Sequence, residues 1–362
     1  MPFKRTFVTH VIPKKLIEKL EVSPAANYFS YNLIDSGIFT KVFSLVPTNI
    51  IEVIRDNESK VELIQSRTFR HKGLFKVFNI LQDNFTLFQK IEANMNVWFY
   101  NLSLHTLLSF LLVRYLKPKC KVYIIVLDFT PSQSFFSITK IIMKLINHKA
   151  HGIITLKETT DITNKNKLTV PGVVNTVKGQ VVKSTNNKFL LSGILSANRN
   201  PKLILDAFSK FPDFELIITG IVEDKDLLYQ YLQKYNNIKY LGLLEYNKYE
   251  EVLNSVTYCL NSRDPNFEEN NYNFPSKVIE HLLYNKIIIS TMEYKELDNI
   301  NYFYVKPTAD AFLDFLNNLS EISEDSLLSK YANQSNLVLE KFGISKWKES
   351  FELIENFNKK KI

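Results

Sequence analysis

The sequence predicts an α/β protein of two Rossmann-like domains in series, and three observations support this fold class. The chain has 362 residues, too many for one compact α/β core and suitable for two. Short apolar runs alternate with longer helical patterns, as in a parallel sheet covered by helices. The alternation stops at a polar segment near the middle of the chain and then starts again, which indicates a second domain of the same kind.

In the first half, short apolar runs predict strands and the longer segments between them predict helices. The predicted strands are Thr6–Ile12, Phe39–Leu45, Val61–Gln65, Val97–Tyr100, Val122–Leu127 and Gly152–Leu156. The predicted helices are Ala26–Asp35, Leu74–Ala93, Leu104–Leu116 and Phe135–Asn147. The following stretch, Thr176–Lys188, is rich in Lys, Asn, Ser and Thr and predicts the linker.

The second half repeats the pattern. Its predicted strands are Phe189–Ile194, Glu215–Thr219, Ile238–Leu241, Tyr258–Leu260 and Ile287–Ser290. Its predicted helices are Pro201–Lys210, Asp224–Tyr235, Lys248–Ser255, Pro275–Tyr284, Ala309–Leu319 and Leu327–Lys341. A last amphipathic helix, Ser345–Phe357, places Trp347, Phe351, Ile354 and Phe357 on one face.

Charge is divided unevenly between the halves. Residues 1–180 contain 24 Lys and Arg against 12 Asp and Glu, whereas residues 181–362 contain 21 against 25. A basic first half indicates an anionic partner, either an anionic membrane surface or a lipid diphosphate. Nucleic acid is disfavoured because no binding motif or aromatic platform accompanies the charge.

The sequence also argues against several other classes. It contains no signal-peptide pattern and no run of 18 apolar residues, so we expect a cytoplasmic protein with no membrane span. The two cysteines, Cys120 and Cys259, lie in or beside separate apolar runs and are expected to be buried thiols. No G-x-G-x-x-G follows a strand, which disfavours a dinucleotide dehydrogenase.

A strand, a polar loop and a helix beginning at Pro275 form the most informative segment. Free amide groups at a helix start favour an anion, and Lys277 adds a positive charge where the helix dipole disfavours one. A bound phosphate would resolve that conflict, with Ser276 in the same turn. Glu280, one turn later, could accept hydrogen bonds from ribose hydroxyls. The alternative is a surface helix with an exposed lysine.

A second strand runs into a loop that carries Arg199. A guanidinium offers a fork of donors suited to a diphosphate. A solvated loop arginine is the alternative interpretation.

The second half resembles the donor-binding domain of glycosyltransferase family 4, whose members have the GT-B fold of two Rossmann-like domains facing a central cleft. The resemblance covers residues 188–295, through Asp206-Ala207-Phe208, Ile217-Ile218-Thr219-Gly220, Tyr240-Leu241-Gly242 and Asn273–Glu280. The last segment is similar to enzymes that build bacterial capsular and exopolysaccharides. The resemblance implies an acceptor domain over 1–180, a donor domain over 181–345, and a C-terminal helix over 346–362 that crosses back to the first domain.

Site residues are carried over from the resemblance position by position. Arg199 falls where the family has a lysine that binds the donor diphosphate, and Glu280 falls on the second glutamate of the Glu-x7-Glu motif. Asn273 and Phe274 fall on the backbone turn that meets the sugar and the β-phosphate, and the first glutamate is replaced by Tyr272.

Two further departures concern charged positions of the motif. Glu268 and Glu269 lie near the position of the missing glutamate, and Glu269 is a catalytic candidate. The family's first diphosphate arginine falls on Ile194, so that Lys277 would replace it.

The first half is expected to hold the acceptor at its strand ends. Asp128 remains where the family has a His-Asp pair, Leu127 replacing the histidine, and could orient an acceptor hydroxyl or act as base. Asn101 and His105 follow another strand, and His10 ends the first one. The structural alternatives are a turn cap for Asp128 and a partly buried structural histidine for His105.

The resemblance implies a retaining, metal-independent hexosyltransferase without a cofactor, using a nucleotide sugar, most simply UDP-linked. Its acceptor is expected to be a lipid-diphosphate-linked glycan at the inner face of the plasma membrane. Two basic amphipathic segments, Phe135–Lys149 and Leu104–Lys121, could contact that membrane. Two alternatives stay open, a nucleotide-sugar 2-epimerase and a non-catalytic GT-B-like partner subunit that positions an acceptor.

Overall fold

A computed structural model describes residues 4–13, 24–47, 61–66, 74–127 and 138–357, which belong to two compact units. Unit 1 comprises Met1–Val174 and Ile344–Ile362, and unit 2 comprises Asn175–Gly343. The division at Val174 precedes the predicted boundary at residue 180 because Val173 and Val174 are buried in unit 1.

Unit 1 is built on a parallel sheet of seven strands in the order β3-β2-β1-β4-β5-β6-β7. The strands are β1 Arg5–Thr9, β2 Lys41–Pro47, β3 Glu62–Ser66, β4 Asn96–Tyr100, β5 Lys121–Val126, β6 Gly152–Thr155 and β7 Lys167–Thr169. Its helices are α1 Pro24–Asp35, α2 Leu74–Lys90, α3 Leu104–Leu116, α4 Ile138–Lys149 and α13 Ile344–Asn356. The order changes direction between β1 and β4, the position where such sheets bind ligands.

Unit 2 repeats this plan with a parallel sheet of six strands in the order β10-β9-β8-β11-β12-β13. The strands are β8 Lys188–Leu195, β9 Glu215–Val222, β10 Ile238–Tyr240, β11 Tyr258–Asn261, β12 Ile287–Ser290 and β13 Phe303–Tyr304. The helices are α5 Pro201–Phe208, α6 Lys225–Leu232, α7 Tyr246–Ser255, α8 Glu268–Tyr272, α9 Ser276–Leu283, α10 Ala309–Leu319, α11 Glu324–Tyr331 and α12 Ser335–Phe342. The predicted fold class, two parallel α/β sheets of Rossmann type, is confirmed.

The last helix, α13, belongs to unit 1 although the whole of unit 2 precedes it in the chain. Trp347, Phe351 and Ile354 are buried, whereas Phe357 at the end of the predicted stripe is exposed. The buried carboxylate of Glu355 forms an ion pair with Arg5 of β1 at 2.8 Å.

Several predicted elements differ from the structure. The single helix predicted over Leu327–Lys341 is wrong, because α11 and α12 are separated by Asn333 in a left-handed conformation (φ 58°). The Asn333 side chain accepts from the Val182 amide at 2.7 Å and donates to the Val182 carbonyl at 3.0 Å. The short elements β7, α8 and β13 were not predicted.

Two further expectations from the sequence concern the cysteines and membrane spans. Cys120 and Cys259 are buried free thiols, as predicted. Across the described residues, no helix combines the length and the hydrophobicity needed to cross a membrane.

Candidate functional site

A pocket of unit 2 lies where its sheet changes direction. β8 and β11 are neighbours, and the chain leaves them toward opposite edges of the sheet, so that their carboxyl ends border a crevice. The ends of both strands, the loop after β8 and the start of α9 line the pocket, through Leu191, Ser192, Leu195, Arg199, Leu260, Asn261, Ser262, Lys277, Val278 and His281. The structure therefore brings together Arg199 and Lys277, which the sequence placed in separate motifs.

Arg199 ends a single 3₁₀ turn, Ala197–Arg199, that follows β8. Asn200 closes the turn with a left-handed φ of 45°, and Pro201 then begins α5. Burial, followed by the charge of Arg263, lowers the pKa of Arg199 to about 10. The guanidinium stays charged at neutral pH, and no carboxylate of the described residues forms an ion pair with it. A partly desolvated cation in this position would be stabilised by an anionic ligand.

A second guanidinium, which the sequence analysis left without a role, lies close to the first. Arg263 follows β11 and is buried, and its Nη1 donates to Asn270 Oδ1 at 3.1 Å and to the Asn273 carbonyl at 3.5 Å. Its backbone amide donates to Thr291 Oγ1 at 2.7 Å. Arg199 follows β8 and Arg263 follows β11, and these strands are neighbours. A search of the sequence for cations just after the predicted central strands would have identified both arginines.

The helix that follows the polar loop begins one residue later than expected. Pro275 is the N-cap residue with extended backbone, not the first helical residue, and α9 starts at Ser276. Proline offers no hydrogen-bonding side chain, so no side chain caps this helix start. The Val278 amide donates to the Pro275 carbonyl at 3.0 Å, and the amides before it in α9 are left available to an anion.

Lys277 is held beside this helix start by two neighbours. Its Nζ lies 4.4 Å from the centre of the Tyr249 ring and 3.3 Å from the Tyr249 hydroxyl. It also lies 3.4 Å from Glu280 Oε2 on the next turn. The conflict between a lysine and the helix dipole is therefore partly relieved inside the protein by a ring face and a carboxylate.

The Tyr249 hydroxyl connects Glu280 to a buried histidine. It lies 3.4 Å from Glu280 Oε2 and 3.0 Å from His281 Nε2, and the same nitrogen lies 3.4 Å from Ser192 Oγ. Burial, with the charges of Lys277 and Lys286, lowers the pKa of His281 well below its usual value. His281, which the sequence analysis did not single out, is therefore a neutral bridge between α9, α7 and β8.

The turn before α9 contributes its backbone to this region. The Asn273 carbonyl accepts from Arg263, and the Phe274 side chain is buried against the Tyr294 ring, with centroids 5.4 Å apart. Ser276 is exposed at the start of the helix. The Phe274 ring is thus turned away from any ligand, and the backbone role that the resemblance gave to Asn273 and Phe274 stays a prediction.

Glu269, the predicted catalytic carboxylate of unit 2, lies on the short helix α8 and is exposed. Its Oε2 accepts from Asn198 Nδ2 at 3.2 Å, next to Arg199 in sequence. This places Glu269 beside the arginine loop and outside the residues that line the pocket. Its catalytic role stays a prediction.

The predicted acceptor residues of unit 1 lie at the carboxyl edge of its sheet. His10 follows β1, and burial, followed by the charge of His105, lowers its pKa to about 4. Burial and Lys76 also lower the pKa of His105, which lies in the first turn of α3, and Asp83 opposes this shift. The two histidines are thus near neighbours, and His10 is neutral at physiological pH.

Asn101 has a defined structural role at the same edge. It has a left-handed φ of 43°, and its Oδ1 accepts from the Leu127 amide at 2.8 Å. Its carboxamide oxygen therefore ties the end of β4 to the end of β5. Asp128, the next residue of that second strand end, lies outside the described residues.

Within the described part of the chain, no three His, Cys, Asp or Glu side chains are grouped so that they could hold a metal ion.

Comparisons with known proteins support the fold. No protein-family model matches the sequence, and no curated protein does. The N-terminal domain of Candida albicans trehalose-6-phosphate phosphatase matches with a TM-score of 0.69 and 13% identity, covering 97% of this chain and 96% of that one. The catalytic domain of starch synthase IV from Arabidopsis thaliana, bound to ADP and acarbose, matches with a TM-score of 0.66 and 8% identity, covering 98% and 99%.

A mutant of S. aureus TarM, in complex with fondaparinux, α-GlcNAc-glycerol and UDP, is also similar. Its TM-score is 0.58 at 15% identity, and the match covers 77% of this chain. This chain spans 59% of the TarM chain. At these identities the comparisons establish the GT-B type of fold, with two Rossmann-like units.

Proposed function

We propose that this protein is a glycosyltransferase that uses a nucleotide-sugar donor, and that the pocket of unit 2 binds the donor's diphosphate. One observation carries the proposal. At the point where the sheet changes direction, Arg199 lines a pocket without an anionic partner among the described residues, opposite Lys277 and the uncapped start of α9. A diphosphate satisfies all three groups at once.

The structural neighbours favour this ligand over other anions. The TarM structure contains UDP, the starch synthase contains ADP, and a similar E. coli trehalose-6-phosphate structure is bound with UDP-2-fluoro glucose. We therefore take a UDP-linked sugar as the first donor to test.

The reaction breaks the bond between the anomeric carbon and the diphosphate oxygen, and an acceptor hydroxyl forms the new glycosidic bond. Negative charge grows on the departing diphosphate, where Arg199, Lys277 and the α9 amides stabilise it. These fixed positive groups are the basis for a metal-independent reaction. In a retaining mechanism the departing β-phosphate takes the proton of the acceptor hydroxyl, while Asp128 and Glu269 are candidates to orient the acceptor.

The acceptor is proposed to be a lipid-diphosphate-linked saccharide in cell-surface polysaccharide synthesis. The support is the excess of Lys and Arg in residues 1–180, which suits an anionic substrate and the inner face of a membrane. His10, Asn101 and His105 mark the sheet edge of unit 1 where this acceptor would bind.

Calorimetric titration with UDP and with ADP tests the donor site. Arg199→Ala and Lys277→Ala should each weaken UDP binding about 10- to 100-fold, since a hydrogen bond to a charged group contributes about 1.5–3 kcal/mol. Lys225→Ala is the matched control, because Lys225 is also in the first turn of a unit 2 helix but is exposed and outside the pocket. Unchanged affinity in both site variants would refute the diphosphate site.

Product analysis then separates the candidate activities. Incubation with a UDP-sugar and a lipid-linked acceptor should yield a glycosylated lipid, and incubation with the donor alone should leave the donor unconverted. Conversion of the donor alone to an epimer would instead show a 2-epimerase. Nucleotide binding without any product, across a panel of donors and acceptors, would favour the non-catalytic subunit.

A further inference from the structure

Helix α2 of unit 1 is amphipathic in the reverse of the usual sense. A helix that covers a sheet normally buries its apolar face and exposes its polar one. In α2 the exposed side includes four large apolar residues, Val77, Phe78, Leu81 and Phe85, and Phe78 is 66% exposed. These positions recur at spacings of three and four residues, so they form one continuous stripe along the helix. Gln82 and Lys76 are exposed beside them.

The buried side of the same helix contains three polar residues beside the apolar Leu87, and their groups are hydrogen-bonded. Asp83 accepts from Ser66 Oγ at 2.7 Å, and Asn84 Oδ1 accepts from the Ser109 amide at 2.7 Å. Asn79 is buried on this face as well. These bonds fix the rotation of α2 against β3 and α3, so that the apolar stripe cannot turn inward without breaking them.

The surroundings of the stripe favour an anionic surface as its partner. Together, α2 and α3 contain one acidic residue, Asp83, and it is buried. Their basic residues include Lys76, which is exposed near the start of the stripe, and Arg114.

The exposed carboxylates nearest the helix, Glu62 and Glu92, lie at its far end and are paired with Lys90 and Lys41. An exposed apolar stripe next to Lys76, without a carboxylate among the exposed residues of its own helix, matches the interface of an anionic bilayer, where the rings enter the acyl boundary and the lysine stays at the headgroups.

The position of the stripe relates it to the acceptor edge. His105 is close enough to Lys76 and Asp83 for their charges to affect it, and it neighbours His10. The start of α2 therefore lies at the carboxyl edge of the unit 1 sheet.

One of the two segments that the sequence suggested for membrane contact, Phe135–Lys149, is arranged differently. In its described part, Ile146 is buried and Ile142 and Leu145 are half-buried, which leaves Ile141 as its exposed large apolar residue.

We propose that the exposed face of α2, defined by Val77, Phe78, Leu81 and Phe85, inserts into the interface of an anionic membrane. The inference deepens the proposed function, because it would bring the acceptor edge of unit 1 to a lipid-linked substrate. It does not depend on the donor site, so the two can fail separately.

Vesicle binding by the full chain tests the proposal. The chain should sediment with vesicles of phosphatidylcholine and phosphatidylglycerol, and Phe78→Gln and Phe85→Gln should each weaken this binding about tenfold, as expected for losing part of the burial of one aromatic ring. Leu243→Gln is the matched control, since Leu243 is an equally exposed apolar residue of unit 2. Ile141→Gln tests α4 in the same assay and should have little effect.

A fluorescent variant reports insertion directly. Both native tryptophans, Trp98 and Trp347, are fully buried, so in Phe78→Trp the added indole should account for any shift of emission to shorter wavelength on addition of vesicles. Three results would overturn the proposal: no binding of the unaltered chain, equal binding by the α2 variants, or a shift that depends on protein concentration without vesicles, which would identify a second copy as the occupant. UDP titration of the same variants should be unchanged. Failure of the unaltered chain to bind UDP while it still sediments with vesicles would count against the donor site alone.

Discussion

At the carboxyl edge of the unit 2 sheet, two guanidiniums and a lysine lie close to one pocket, whereas the same edge of unit 1 presents a pair of histidines with lowered pKa values and an asparagine bonded to the backbone. The sheets change direction at equivalent places, between β8 and β11 and between β1 and β4. The difference lies in the loops that follow these strands. Topology decides where a ligand can bind, and a few residues after each strand decide which ligand it is.

The comparison also shows that the net charge of each half of the chain differs from the charge at its sheet edge. The half of the sequence that is basic contains the edge with the histidine pair, and the acidic half contains the cationic pocket. Net charge of a domain therefore indicates what its outer surface attracts, and it does not predict the charge of its site.

The largest expected effect is a loss of stability that is confined to unit 1. Glu355→Ala leaves Arg5 buried without its carboxylate and also removes the acceptor of the Trp98 indole N–H, 2.9 Å away. We expect the free energy of unfolding of unit 1 to fall by about 3–5 kcal/mol, measured by chemical denaturation. UDP affinity, measured by calorimetry, should be unchanged.

Glu352→Ala is the control for this change, since Glu352 lies on the same helix and is exposed. A loss of UDP binding in Glu355→Ala under conditions where the protein stays folded would show that the two edges are not separable.

The next effect is a pH dependence centred on His10. Its pKa is lowered to about 4 in the folded protein, against about 6.5 in the unfolded chain. Below pH 6.5 the unfolded chain binds a proton that the folded protein does not, so stability is highest above this pH and falls as the pH is lowered toward 4. The slope is up to about 1.4 kcal/mol per pH unit.

Denaturation curves between pH 4 and 7.5 check this expectation. His10→Gln should reduce the slope, and substitution of the exposed His148 should not. The part of the slope that remains is expected from His151 and His281, since burial also lowers their pKa values. An unchanged slope in His10→Gln would show that His10 does not titrate as its burial implies.

The smallest expected effect is on UDP affinity, and it tests the hydrogen bonds of the Tyr249 hydroxyl in the unit 2 site. Tyr249→Phe keeps the ring next to Lys277 but removes the hydroxyl that contacts Lys277, Glu280 and His281. Losing one such hydrogen bond costs about 1 kcal/mol, so UDP affinity should fall about fivefold. Tyr229→Phe, on an exposed face of α6, should leave the affinity unchanged, and an equal loss in both variants would argue against the hydroxyl network.

The sequence predicted the sheets well because buried parallel strands are short apolar runs that need no partner to be recognised. It also singled out Arg199 and Lys277, which line the same pocket, since each lies in a segment that leads from a predicted strand into a predicted helix. It did not predict Arg263 as a site residue, because contact between two loops depends on which strands are neighbours.

Other misses have local causes. Neither the break at Asn333 nor the reversed face of α2 could be deduced from periodicity alone. In both cases side-chain hydrogen bonds to residues distant in sequence, such as Val182 and Ser109, decide the conformation.

The return of α13 to unit 1 has a consequence for how the chain matures. Ile344–Asn356 leave the ribosome after every residue of unit 2. The buried ion pair between Arg5 of β1 and Glu355, 350 positions later, can therefore form only after unit 2 has been synthesised. Closing so long a loop is slow and entropically costly. We therefore expect unit 2 to reach its native state first during synthesis, with unit 1 the part most exposed to chaperones and proteases until α13 has been synthesised.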